Sequence, residues 1–208
     1  MNLKSSGQSK SVQAIKLVFV ILIFPILIGF LRGLITEIFK LKAIYWKSFY
    51  WGLSVYLIFH IFLIEPLGFY KKTQRFIQII FGFFLPLFRF SYYIIPFWII
   101  ITIGFYLILY KIFKLEDFKF IFFFLSGFLF SMHIVMVAKI LKVDELRKLV
   151  DYLFIIFIVL IVNIFFLGLN LKFYEPSFSV ANLGREGINL GTSLAKSIFS
   201  QLFLLKAE

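Results

Sequence analysis

Several unbroken apolar stretches, each long enough to cross a lipid bilayer as a helix, constrain this sequence most. Runs such as LVFVILIFPILIGF (17–30) and FIIFIVLIVNIFFLG (154–168) carry no charged residue. A membrane-spanning helix needs roughly 20 mainly apolar residues, whereas a membrane β-barrel uses segments of about ten residues with alternating polarity. Because the runs do not alternate, the sequence predicts an all-α fold, a polytopic transmembrane helical bundle.

The charged residues agree with this class of protein. Only 15% of the 208 residues are charged and 62% are hydrophobic, whereas soluble domains have about 25% charged residues. The net charge of +12 comes from basic residues that fall between the apolar runs. Basic residues between membrane helices attract anionic lipid headgroups and help to orient the chain during membrane insertion. The expected partner is therefore the lipid bilayer, with other membrane protein subunits as further candidates, and not nucleic acid.

The predicted organisation has three parts. A basic N-terminal tail (1–15) precedes a transmembrane domain (16–172), and 173–208 follow as a separate segment. Although the N-terminus resembles a secretory signal, no small-x-small cleavage site follows its apolar part, so it is interpreted as an uncleaved first span. Pro25 is expected to kink that span. Six spans are predicted, at about 16–35, 48–65, 76–90, 93–113, 119–139 and 150–170.

The apolar run at 76–113 is too long for one crossing. Its 38 residues would form a helix about 57 Å long, while the hydrocarbon core is about 30 Å thick. The signals that could break it are Pro86, the RFSYY patch and Pro96. The run therefore predicts a proline-broken helical hairpin with Arg89 at its turn. The alternative is that 76–90 is a re-entrant segment that does not cross the membrane. In that case other helices or a water-filled cavity would provide hydrogen-bond partners for its backbone.

The distribution of Lys and Arg predicts the orientation. With six spans, more of these residues fall on the face that carries both termini, whereas five spans divide them equally. Cytoplasmic loops are enriched in Lys and Arg. The sequence therefore predicts a multi-pass protein of a bacterial inner (cytoplasmic) membrane with both termini cytoplasmic.

The segment 173–208 differs from the rest of the chain. FYEPSFSVANLGREGINLG has glycine, asparagine and proline at the density of turns. The following GTSLAKSIFSQLFLLKAE repeats apolar residues at i, i+4, which predicts an amphipathic C-terminal helix. This helix is expected to lie in the membrane interface, and the alternative is packing on the bundle or on a partner protein.

Ionisable and polar residues inside predicted spans are candidates for a functional site, because they are costly in lipid. One hypothesis is an intramembrane polar site. However, His60 and Glu65 are five residues apart, which separates them by about 140° around a helix, so no metal site is expected. The alternative is that the histidines are buried and hydrogen-bonded. The candidates are His60, Glu65, Arg89, His133 and Asn163.

Common cofactors and catalytic motifs are not predicted. The chain has no cysteine, which excludes thiolate zinc sites, iron–sulfur clusters and disulfides. The stretch HIFLIE lacks the second histidine of a zinc-protease motif, and Ser131 and His133 would point in different directions on a helix. Walker and GxGxxG motifs are absent. No cofactor is expected, and these absences argue against an enzyme more than for one.

Two short motifs predict close helix packing. Gly29 and Gly33 form a GxxxG motif, and Gly127 with Ser131 forms a related small-xxx-small motif. Together with the sparse polar residues, they favour a non-catalytic scaffold, assembly or accessory membrane subunit. The alternative is a small transporter, channel or lipid-handling protein. A membrane-embedded enzyme with an unfamiliar site is the third class.

Overall fold

The computed structural model describes residues 10–62, 96–113, 118–141 and 149–204. These residues form helices and no strands, which confirms the all-α prediction for this part of the chain. The helices are α1 (Lys10–Phe39), α2 (Ala43–Phe62), α3 (Phe97–Phe113), α4 (Lys119–Ile140), α5 (Leu149–Tyr174) and α6 (Val180–Leu204).

Three of these helices are long and apolar enough to cross a membrane, as judged from length and composition. They are α4, α5 and the part of α1 from Ser11 to Phe39. A shorter apolar helix, Phe97–Tyr110, lies within α3. Their sequences fit a transmembrane protein, because continuous apolar helices of this length match the thickness of a bilayer.

α1 and α5 lie side by side and run in the same direction. Near the beginning of both helices, Lys16 Nζ donates a hydrogen bond to Asp151 Oδ1 at 2.6 Å. Further along, the rings of Phe24 and Phe157 stack with their centroids 5.7 Å apart. Because both contacts join positions at similar distances from the helix starts, the two helices are parallel.

α4 runs antiparallel to α5. The hydroxyl of Ser126, early in α4, donates to the side chain of Asn170, late in α5. Val137, late in α4, belongs to the same apolar cluster as Val159 in the middle of α5. α3 runs parallel to α5. Its first turn contacts Asn170, since Asn170 donates to the carbonyl oxygen of Ile99, and the later Tyr106 ring contacts the Tyr174 ring at 4.8 Å.

The two remaining helices complete an alternating pattern. α2 runs parallel to α4, because Tyr45 stacks on Phe123 and Tyr56 contacts Phe128. α6 runs antiparallel to α1, as the glycine contacts described below show. Among the described helices, the direction therefore reverses at each step along the chain. The end of α2 and the start of α3 consequently lie at the same end of the bundle.

The main apolar core joins α1, α4, α5 and the start of α6. It is formed by large side chains that are almost fully buried. Tyr174 and Phe178 flank the turn between α5 and α6, and Leu183 lies in the first turns of α6. Leu34 and Ile38 of α1 pack against this group. The core therefore ties the C-terminal helix to the first helix of the chain.

Several boundaries differ from the predicted ones. α1 continues through Pro25, and α2 begins five residues before the predicted span at 48–65. The arm predicted at 76–90 lies outside the described residues. However, six successive crossings would make the spans at 16–35 and 150–170 antiparallel, whereas α1 and α5 are parallel, so the predicted six-span order was wrong. α3, α4 and α5 match the predicted spans at 93–113, 119–139 and 150–170 to within four residues at each end. The lengths of the apolar runs therefore located these helices well.

The largest difference concerns the glycine-rich part of 173–208. Turn structure was predicted up to about residue 190, but α6 begins at Val180 and includes all of NLGREGINLG. The helix also packs along α1, which agrees with the alternative prediction that it packs on the bundle. The glycines that suggest turns instead allow two helix backbones to come together, which packing can favour over low helix propensity.

Candidate functional site

A cluster of buried polar side chains joins three helices. Asn170 of α5 lies at its centre, and its Nδ2 donates to the carbonyl oxygen of Ile99 at 2.8 Å and to the Tyr174 hydroxyl at 3.0 Å. The Ser126 hydroxyl donates to Asn170 Oδ1 at 2.6 Å. The Tyr174 hydroxyl in turn donates to Thr102 Oγ1 at 2.7 Å. The cluster thus connects α3, α4 and α5 through hydrogen bonds.

These polar atoms all have partners. Ser126 and Asn170 have no solvent-exposed surface and Thr102 has 6%. A buried network of this kind fixes the relative positions of helices, because each broken bond would leave a polar group in an apolar environment. Its geometry indicates a structural role. The sequence signal for it was the i, i+4 spacing of Asn170 and Tyr174, neither of which was predicted as a site residue.

The structure describes three of the five residues of the predicted intramembrane polar site. Glu65 and Arg89 lie outside the described residues. His60 is near the end of α2, where its ring stacks on Tyr56 at 5.8 Å, and His133 is 3% exposed within α4. Asn163 is fully buried in α5, and its Nδ2 donates to the carbonyl oxygen of Val159 in the same helix at 2.8 Å.

The acidic and histidine side chains of the described ranges are dispersed. Within these ranges, no group of three or more His, Cys, Asp or Glu side chains is close enough to hold a metal ion.

The GxxxG motif in α1 lies against a second GxxxG motif in α6. A Cβ added to Gly29 would lie 2.2 Å from the carbonyl oxygen of Gly187, and one added to Gly33 would lie 2.9 Å from the carbonyl oxygen of Leu183. A Cβ on Gly191 would be 2.7 Å from the Cα of Ile26. The two backbones are therefore in direct contact. The second motif, GINLG, has the same spacing as the first and was missed because its segment was interpreted as turns.

The other predicted packing motif, in α4, contacts α2. A Cβ on Gly127 would lie 2.2 Å from the carbonyl oxygen of Phe49. On the opposite helix, a Cβ on Gly52 would lie 2.0 Å from the carbonyl oxygen of Phe124. Ser131, the second member of the motif, is buried with 7% exposure. Gly52 was not predicted, although Ser48 and Gly52 form a small-xxx-small motif in α2.

A buried carboxylate fixes the beginning of α6. Glu37, near the end of α1, is 2% exposed and forms an ion pair with Lys40. Its Oε2 accepts a hydrogen bond from the backbone N–H of Ser179 at 3.2 Å. The Ser179 hydroxyl accepts a hydrogen bond from the Asn182 N–H, as an N-cap residue does. A negative charge at a helix N-terminus is stabilising, so Glu37 helps to hold α6 against α1.

The opposite face of α6, turned away from α1, is polar. We call this surface the outer polar face. Most of its side chains project from the side of the helix opposite Leu183, Gly187 and Gly191. Glu186 lies at the edge of the face, where its Cβ would be 3.2 Å from a Cβ added to Gly33 of α1. All of its members are exposed in the structure, and they span about three turns of helix. They are Arg185, Glu186, Asn189, Thr192, Ser193 and Lys196.

An apolar groove lies between α2 and α4. Its volume is about 430 Å³, and apolar side chains form most of its wall. Trp51 is 64% exposed at this groove, and Phe124 and Ile121 line it from α4. Trp46 and Lys47 lie beside it in a smaller depression.

Comparisons of the chain with protein families, with curated proteins and with solved structures give no match.

Proposed function

We propose that this chain is an integral, multi-pass membrane protein that acts as a non-catalytic subunit or assembly factor by binding another membrane protein. The observation that supports this role is the outer polar face of α6. In contrast, the buried polar cluster around Asn170 is internally satisfied and offers no free group for catalysis.

The depth of α6 follows from its register with α1. Residue 187 lies beside residue 29, and residue 183 lies beside residue 33. In this antiparallel register, each later residue of α6 lies beside the preceding residue of α1. Asn189 and Ser193 therefore lie next to the apolar middle of α1. At the same depth, α1 exposes side chains such as Phe24 and Ile28. With α1 spanning the bilayer as proposed, the outer polar face would lie at the level of the hydrocarbon core.

Polar groups at this depth need partners other than lipid. Ionised side chains at the centre of a membrane helix cost about 3 kcal/mol each, and unpaired amides also pay a desolvation cost. Other exposed helices in the described part of the chain present mainly apolar side chains, such as Ile15, Phe105 and Phe165. A second protein that covers α6 would satisfy its polar groups, while lipid would cover the other helices.

The alternating helix directions support a topology for this proposal. The start of α1 and the end of α6 lie at the same end of the bundle, as expected for a protein with both termini on one side. The basic N-terminal tail favours the cytoplasm for that side under the positive-inside rule. We therefore propose a bacterial cytoplasmic membrane with both termini inside.

Site-specific photo-crosslinking in living cells tests the subunit role. A photoreactive phenylalanine analogue is placed at Asn189 in the outer polar face, or at Phe165, which is 44% exposed on α5, as the control. The role predicts protein adducts at position 189 and lipid adducts only at position 165. If position 189 forms no protein adduct, or if both positions react with proteins equally, the subunit role is wrong.

A lipid-handling function is the second candidate, and the groove between α2 and α4 favours it. The groove is apolar and open, and Trp51 and Lys47 lie where an acyl chain and a headgroup could be contacted together. A phospholipid with a photoreactive acyl chain should label the groove more than other lipid-facing surfaces. Equal labelling of Trp51 and Phe165 would indicate ordinary lipid contact.

A further inference from the structure

We propose that the partner covering the outer polar face of α6 is a second copy of this chain, bound through the same face. This inference rests on the proposed function, because it assumes that a protein covers α6. Both copies would have the same orientation in the membrane, so the dimer axis would run along the membrane normal. The two α6 helices would then be parallel, with equal residues at equal depth.

The outer polar face carries both hydrogen-bond donors and acceptors, so two copies of it can bond to each other. The hydroxyls of Thr192 and Ser193 donate to carbonyl oxygens one turn earlier in α6, at 3.0 and 2.9 Å. Their oxygen atoms can still accept a hydrogen bond. The side-chain amide of Asn189, one turn away on the same face, can donate two. In a two-fold pair, each Asn189 can therefore donate to the hydroxyl oxygens of the other copy, and the exchange is reciprocal.

The charged residues of the face also complement each other. Arg185 and Glu186 are adjacent and both exposed, and they carry opposite charges. A two-fold axis brings Arg185 of each copy close to Glu186 of the other, which forms two ion pairs. This pairing would leave neither charge alone in lipid, which favours association.

Lys196 fits the same arrangement. By the register with α1, it lies beside residue 20, about one turn from the level of Lys16 at the end of the bundle. An ammonium group on a flexible side chain can extend this distance into water. The two Lys196 side chains of a dimer can thus avoid each other, while the amides and hydroxyls stay in contact.

Disulfide crosslinking tests the dimer directly, because the full chain contains no cysteine. Asn189→Cys and Ser193→Cys are the test variants, and Ile188→Cys, which is exposed on the flank of α6, and Phe165→Cys on α5 are the controls. After mild oxidation in native membranes, we expect covalent dimers at 189 or 193 at least tenfold above both controls. Equal dimer formation at all four positions, or none at 189 and 193, would overturn the proposal.

A second measurement does not depend on the cysteine variants. The purified full chain, of 24.6 kDa per copy, should have twice that mass by light scattering after subtraction of detergent. Asn189→Leu should weaken dimerisation about tenfold, as expected for loss of hydrogen bonds between membrane helices. A monomer mass for the unaltered chain would contradict the proposal.

The photo-crosslinks at position 189 separate this proposal from the subunit role. Adducts with a second copy support both the dimer and the subunit role. Adducts with a different protein contradict the dimer but leave the subunit role in place. Absence of any protein adduct contradicts both.

Discussion

Gly29 of α1 and Gly187 of α6 bring two helix backbones into direct contact, since a Cβ on Gly29 would lie 2.2 Å from the Gly187 carbonyl oxygen. This contact decides how α6 is held. It seats the apolar side of α6 on α1 and leaves the outer polar face exposed.

Gly29→Ala tests this contact. The added methyl group cannot fit without moving one helix, so we expect a loss of about 1–3 kcal/mol in the free energy of unfolding. Unfolding in detergent by SDS titration measures it. Gly104→Ala is the matched control, because a Cβ at Gly104 meets no atom within 4 Å. The control should be neutral or slightly stabilising, and equal losses for the two variants would contradict the packing.

Gly52→Ala tests the second glycine contact, between α2 and α4. Its Cβ would lie 2.0 Å from the carbonyl oxygen of Phe124, so a similar loss of about 1–3 kcal/mol is expected. The contacts at Gly29 and Gly52 involve different helix pairs. Their effects should therefore add in the double variant to within about 0.5 kcal/mol. A large coupling energy would show that the two helix pairs are not independent.

Tyr174→Phe tests the buried polar cluster. It removes the donor to Thr102 and an acceptor for Asn170, which should cost about 1 kcal/mol in the free energy of unfolding. Tyr56→Phe is the matched control. Tyr56 is 1% exposed, and its hydroxyl has no hydrogen-bond partner among the described residues. Its replacement should be neutral or stabilising, and the opposite ranking of the two variants would contradict the network.

Thiol labelling tests the alternating topology. Single cysteines replace Lys42 before α2, Ser177 before α6 and Ser11 at the start of α1, all exposed positions. A membrane-impermeant reagent added to intact cells should label positions 42 and 177 but not position 11. After permeabilisation, position 11 should label as well. Labelling of 42 and 177 from opposite sides of the membrane would overturn the alternation of α2 to α6.

The sequence predicted the helical class and most helix positions because apolar run length alone decides them. It also predicted close contacts at Gly29 and Gly127, and both lie against neighbouring backbones in the structure. It could not choose the partner helices, since a GxxxG motif specifies a close approach without specifying what approaches. The interpretation of α6 failed for this reason. The glycines that weaken an isolated helix are favourable once a neighbouring backbone fills the space above them.

By itself, the sequence determined that this chain forms apolar helices of membrane-spanning length, because the cost of placing polar backbone in lipid leaves few other folds. Only the tertiary structure decided that Asn170, Thr102, Ser126 and Tyr174 satisfy one another. It also decided that α6 stands beside α1 with its polar side outward. Those relationships depend on which helix faces meet. The residues that make these faces fit together are distant from one another in the sequence.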